Sequence, residues 1–120
     1  MNKKRKGNFA EFSARLYLRL KGYQIVEKNY ITGRGTTAGE IDIIARKKNT
    51  IIFVEVKERK TLEDALYAIK PQQKKRILNA AKFYLAKHPF YQKFDVRFDA
   101  VFVSFFRIYH IQNAWGEMKA

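Results

Sequence analysis

Polar, glycine-bearing stretches alternate along the chain with short apolar runs, and the apolar spacing switches between helical and extended periods. Phe9, Phe12, Leu16 and Leu20 recur at three- and four-residue steps. Asn8 can cap their start and Gly22 supplies a stop, which predicts a helix over 8–21. A short strand is expected over 23–30. Residues 32–39 are polar and glycine-rich, as a flexible loop is. Glu40 to Arg46 and Thr50 to Glu58 read as strands, with Lys47-Lys48-Asn49 closing a hairpin. Thr61 ahead of Glu63 and Asp64 predicts a capped turn. Pro71 opens a second long helix to about Lys87, with Ile77, Leu78, Ala81, Phe83, Tyr84 and Leu85 as its apolar positions. Strands over 98–105 and 107–111 precede a tail. This order predicts an α/β fold: a mixed β-sheet flanked by helices on its faces.

With 120 residues, 47% of them apolar and 15% aromatic, the chain is expected to form one domain over 1–120. Residues 1–6 are expected to be a flexible basic tail. Lys and Arg total 25 against 11 Asp and Glu, a net charge of +14. A domain this basic expects a polyanion, and nucleic acid is the commonest one. The chain has no cysteine, which excludes disulfides and thiolate zinc sites. No apolar run reaches the roughly 18 residues of a membrane span. The basic start is not followed by the apolar core of a signal peptide, so a cytoplasmic protein without membrane contact is expected.

Charges inside the two central runs change the picture. Asp42 sits within Ile-Asp-Ile-Ile, and Glu55 and Lys57 sit within Phe-Val-Glu-Val-Lys. Ionised groups in strands buried on both faces are costly unless paired or bound to a metal. Glu55 and Lys57 share a strand face by alternation. Pairing of the two strands would bring Asp42 to Glu55. Two carboxylates and a carbonyl, that of Val56, form the oxygen shell that Mg²⁺ or Mn²⁺ takes. Such a metal acidifies water and neutralises phosphate charge, while Lys57 can orient the water or stabilise the transition state. A plain ion pair between Glu55 and Lys57 on an exposed face is the alternative, and the apolar flanks argue against it.

Asp42 followed by Glu55-Val56-Lys57 resembles the PD-(D/E)xK nuclease motif. More of the chain is similar to the YraN-type family of uncharacterised endonuclease-like proteins, itself similar to archaeal Holliday-junction resolvases. The matching residues run from Gly7, Ala10-Glu11 and Gly22-Tyr23 through Gly39-Glu40-Ile41-Asp42 and Phe53 to Lys57. They continue to Arg97-Phe98-Asp99 and His110 to Trp115. The resemblance implies a restriction-endonuclease-like fold, Glu11, Asp42 and Glu55 as metal ligands, Lys57 as the catalytic lysine, and a possible homodimer. Glu11 read from the sequence alone would be one solvated helix charge.

Gln73, near the start of the second long helix, is a candidate for the site because related nucleases keep a polar residue there. Lys70, Lys74, Lys75 and Arg76 make that helix basic and, with Arg59 and Arg34, are the candidate phosphate contacts. Asp99 is expected to be structural, held by Arg97 or a backbone amide. His88 and His110 have no zinc spacing. The expected function is metal-dependent hydrolysis of phosphodiester bonds in DNA, favoured over RNA, in branched or structured substrates. The alternative is a non-catalytic nucleic-acid-binding module on a nuclease scaffold that acts with a partner.

Overall fold

The computed structural model describes residues 3–32, 39–61, 63–64, 67–105 and 107–115, with the side chains of 3–8 outside that description. Helix α1 spans Lys3–Leu20 and is followed by strands β1 (Gln24–Ile31), β2 (Glu40–Lys47) and β3 (Thr50–Glu58). Helix α2 (Pro71–Lys87) and a 3₁₀ turn (Pro89–Tyr91) lead to β4 (Asp95–Val103) and β5 (Ile108–Ile111). The strands form one five-stranded sheet in chain order. All neighbours are antiparallel except β3 and β4, which run parallel because α2 carries the chain back between them. The result is a mixed sheet with a helix on each face.

Helix α1 starts at Lys3 and not at the expected Asn8, so the backbone from Lys3 to Lys6 belongs to the helix. Lysine and arginine are good helix formers and need no cap to extend it. Its end is as the sequence predicts. Gly22 takes a φ of 98°, its N–H bonds the Arg19 carbonyl at 3.0 Å, and the Tyr23 N–H reaches back to Leu18 at 2.9 Å. The residues whose spacing predicts α1 are not those it buries. Ala10, Ala14 and Leu18 lie against the sheet, while Phe9, Phe12, Leu16 and Leu20 stay exposed, Leu20 at 79%. The two alanines let the helix settle close on β2, β3 and β4, with Ile43, Ala45, Ile52, Val54, Val56 and Val101 beneath it.

On the other face, α2 buries Ile77, Ala80, Ala81, Tyr84 and Leu85, while Phe83 turns outward. These pack on Ile44, Ile51, Phe53 and Phe98. The expected turn after β3 is present at its start, where the Asp64 N–H donates to the Thr61 hydroxyl at 3.1 Å. Strand β4 begins at Asp95, earlier than the expected Phe98. Its polar first residues are held by parallel pairing with Thr50 to Ile52 and by an N–H bond from Asp95 to Asn49. Residues 112–115 are not a tail. The N–H groups of Asn113 and Ala114 bond Asp99 and Phe98, which folds this segment onto the sheet.

Asp99 is fully buried on the α1 side, and its partners explain why a charge can lie there. Arg97 donates to both of its oxygens at 2.8 Å, His110 Nε2 lies 2.8 Å from Oδ2, and the Asn113 amide reaches Oδ1 at 3.0 Å. Arg97 also donates to the Tyr23 hydroxyl, and the Tyr17 hydroxyl lies 3.2 Å from His110 Nδ1. Burial pushes the Asp99 carboxyl up, but the bonds from His110, Arg97 and the Asn113 amide outweigh it and hold it below the usual range. The network ties α1 to β4, β5 and the chain's last described residues. Asp99→Ala takes the shared buried acceptor away from Arg97, His110 and the Asn113 amide, so it should lower the unfolding free energy by about 3–5 kcal/mol in urea titrations. A carboxyl with a depressed pKa stabilises above the usual carboxylate range, so the loss should shrink only as the pH drops below it.

Candidate functional site

The β2–β3 ladder pairs Lys47 with Thr50 and runs as far as Ile43 opposite Val54. One step further would place Asp42 opposite Glu55, and there the ladder stops. The Asp42 carboxylate instead accepts the Val56 N–H at 2.8 Å, a side chain taking the place of a backbone carbonyl. Ile43 packs in the cluster under α1 and Ile41 in the cluster under α2. Alternation would put them on one face, so β2 rolls over at Asp42 and aims that carboxylate along the sheet toward β3. The strands splay, and a cavity of ≈170 Å³ opens between Gly39, Glu40, Asp42, Glu55, Gln73 and Arg76. Gly39 permits α2 to close over it, since a Cβ there would lie 3.2 Å from the Cβ of Arg76.

Asp42 and Glu55 are 9% and 4% exposed. Burial and then the neighbouring Glu55 push the Asp42 carboxyl up to about 8. Burial also raises Glu55, and Lys57, whose Nζ lies 3.3 Å from Glu55 Oε2, works against that rise. The side-chain amide of Gln73 donates to the same oxygen, Oε2. The expected trio of Asp42, Glu55 and Lys57 is therefore together, with Gln73 added from α2.

Glu11 approaches from α1. It is half-buried, and burial followed by the charge of Asp42 pushes it up to about 7, while a hydrogen bond with Asn29 works the other way. It faces Asp42 electrostatically. Among the described residues, no three His, Asp or Glu side chains converge as a ready-made metal cluster. The carboxylates that line the notch are Glu40, Asp42 and Glu55, and Glu11 is not part of its lining.

The basic candidates divide. Lys70 and Lys75 are exposed at the start of α2, and exposed Arg76 lines the carboxylate cavity. Lys74 is half-buried and lines a different cavity. The Arg59 N–H bonds Val103, prolonging the β3–β4 pairing, and its guanidinium donates to the Glu58 carbonyl at 2.7 Å. Arg34 lies outside the described residues. Two contributors were not singled out from the sequence. Glu40 lines the cavity and raises both Asp42 and Glu55, and Asn29 holds Glu11. The spacing of Glu40 and Asp42 two residues apart on one strand was a usable signal for the first. Asn29 is placed by a left-handed φ of 51° that sequence patterning does not reveal.

A mixed α/β protein with acidic side chains in a notch between splayed central strands is the class that fold and site define. The chain belongs to the uncharacterised protein family UPF0102, which matches residues 10–103. It is 46% identical over 112 residues to a UPF0102 protein of Paramagnetospirillum magneticum, covering 92% of this chain and 87% of that one. It is 49% identical over 100 residues to one from Bradyrhizobium diazoefficiens, covering 83% and 72%. A third, from Methylocella silvestris, is 50% identical over 105 residues, covering 87% and 81%.

In the metal-free protein the folded Asp42 carboxyl keeps its proton to a higher pH than the unfolded one. The folded state therefore binds more protons between about pH 4 and pH 8, and stability falls as pH rises through that window. Asp42→Asn keeps an acceptor for the Val56 N–H and removes the titration. It should raise Tm at pH 8 by about 4 °C or more, the shift that roughly 1 kcal/mol gives a domain of this size. The gain should be small near pH 4, and paired melting curves at the two pH values check it.

Proposed function

We propose that this protein is a divalent-metal-dependent phosphodiesterase acting on DNA, on a restriction-endonuclease-like scaffold, with branched or otherwise structured DNA as substrate. The observation that carries the reading is the burial of Asp42 and Glu55 side by side where β2 and β3 splay, with Lys57 at 3.3 Å from Glu55. Burial raises the pKa of both carboxyls, the neighbouring Glu55 raises that of Asp42 further, and a single ammonium does not neutralise the pair. A divalent cation would, and an all-oxygen donor set suits Mg²⁺ or Mn²⁺ over softer metals. Asp42, Glu55 and the Val56 carbonyl would hold it, with Glu11 on the α1 side. When bound, such a metal polarises a phosphoryl oxygen and lowers the pKa of water.

The remaining roles fall to the chain's own groups. Lys57 places a point charge beside Glu55, where it can hold an attacking water or meet the negative charge that develops on phosphorus oxygens. Gln73 fixes the Glu55 carboxylate by donating to it, so that its free lone pairs keep one direction. Arg76, Lys75 and Lys70 supply cations along the rim and the start of α2, and that helix has neither an acidic first turn nor a side-chain cap to compete for an anion. A net charge of +14 also suits the second reading, a nucleic-acid-binding module that no longer cleaves.

Labelled single-stranded, duplex, flap and four-way-junction DNA incubated with Mn²⁺ or EDTA separates the two. Cleavage should require Mn²⁺, and Asp42→Ala and Lys57→Ala should each slow it by about 100-fold or more. Mobility shifts without cleavage at any metal concentration would favour the binding module. Mn²⁺ should also raise the Tm of the wild type and leave Asp42→Asn unchanged, since ligand bound only to the folded state stabilises it. For the rim, Lys75→Ala and Arg76→Ala should each weaken DNA binding across all sequences. Each should also reduce the slope of log K against log salt by about 1.

A further inference from the structure

A second cavity, of ≈150 Å³, lies beside the carboxylate notch, lined by Ile69, Phe102, Ile111 and Trp115, with Ala100 in its wall and Lys74 at one side. Strand register places it. Glu55 is paired with Ala100 and Lys57 with Phe102 across the parallel β3–β4 ladder, so these side chains project from the same face of the sheet. The cavity is therefore lined from the strand next to the one that carries Glu55 and Lys57. Helix α2 gives the same answer: consecutive residues Gln73 and Lys74 line the notch and the cavity respectively.

Its chemistry is unlike that of the notch. The walls are aliphatic and aromatic, with one cation among them. A cavity of about 150 Å³ lined by such side chains holds a single six-membered aromatic ring. The Trp115 indole Nε1 is buried and has no hydrogen-bond partner among the described residues. A ring that carries a carbonyl acceptor would satisfy that donor, and its faces would stack on Phe102 or Trp115. One nucleotide carries such a ring and a phosphate together, and the two cavities are lined from adjacent strands and from consecutive residues of α2.

We propose that this cavity takes one unstacked, pyrimidine-sized nucleobase of the strand whose phosphate lies at Asp42, Glu55 and Lys57. The inference rests on the phosphodiester reading above and narrows its substrate. A base inside an intact duplex is stacked and paired, so the cavity selects single strands, flaps and the unpaired nucleotides of branched DNA. Lys74 meets the neighbouring phosphate of the same strand.

Trp115 is the chain's single tryptophan, so its fluorescence reports on this cavity alone. In EDTA, a short oligothymidylate should quench it saturably, and its anisotropy should rise in parallel. A backbone of equal length built from abasic sites should bind about tenfold more weakly or worse, the loss expected for one stacked base, and should not quench. Ala114→Leu, which fills the cavity from its edge, should erase the preference for thymidylate while leaving the abasic strand's binding unchanged. Equal binding of both strands with unchanged Trp115 emission would overturn the assignment and leave the nuclease reading standing. Binding of neither strand, together with no cleavage, would overturn both.

Discussion

The architecture of the site follows from one hydrogen bond, the Asp42 carboxylate accepting the Val56 N–H at 2.8 Å. A sheet closes when every backbone donor finds a backbone acceptor, and here one acceptor has been replaced by a side chain. The replacement stops the β2–β3 ladder after Ile43 and Val54, rolls β2 over, and leaves a notch in what would be a sealed core. It also fixes the cost. A carboxylate that does a carbonyl's work inside the sheet cannot move to water, so its charge must be met where it lies. The proton that Asp42 holds unusually tightly, the Glu55–Lys57 contact and the amide of Gln73 are partial answers to that demand.

The two faces of the sheet resolve buried charge differently. Under α1, Asp99 is surrounded by Arg97, His110 and a backbone amide, and its pKa is held down. At the notch, burial raises the pKa values of Asp42 and Glu55, and the contacts from Val56, Lys57 and Gln73 do not bring them back down. The Asp99 carboxylate binds helix to sheet through four bonds, whereas the Asp42 and Glu55 carboxylates line an open notch.

Much of this was legible in the chain. Apolar runs interrupted by Asp42, Glu55 and Lys57 announced both the central strands and the charges buried between them, because period-two alternation and the cost of burying charge are local matters. Gly22 ended α1 for an equally local reason. What escaped was set by partners distant in sequence. The spacing of Phe9, Phe12, Leu16 and Leu20 predicts a helix, yet the sheet accepts the smaller Ala10, Ala14 and Leu18, because closeness of approach decides which side packs. Residues 112–115 looked like a tail until the Asn113 and Ala114 amides met β4. Glu11 could be tied to the acidic notch only through resemblance, since nothing in α1 itself reveals which carboxylate it will face.

Strand β4 carries both arrangements on alternate residues. Asp99 faces α1 within its hydrogen-bonded network, and its neighbour Ala100 faces the opposite way beside the second cavity. Gaining or losing one residue within β4 would exchange those faces, setting a carboxylate in the apolar cavity and a methyl group against Arg97 and His110. The described residues that flank α2 lie outside strands, so no alternation of faces is at stake there. In this family, length variation should therefore collect in the loops and be purged from β4, where a single-codon insertion would cost the core and the site at once.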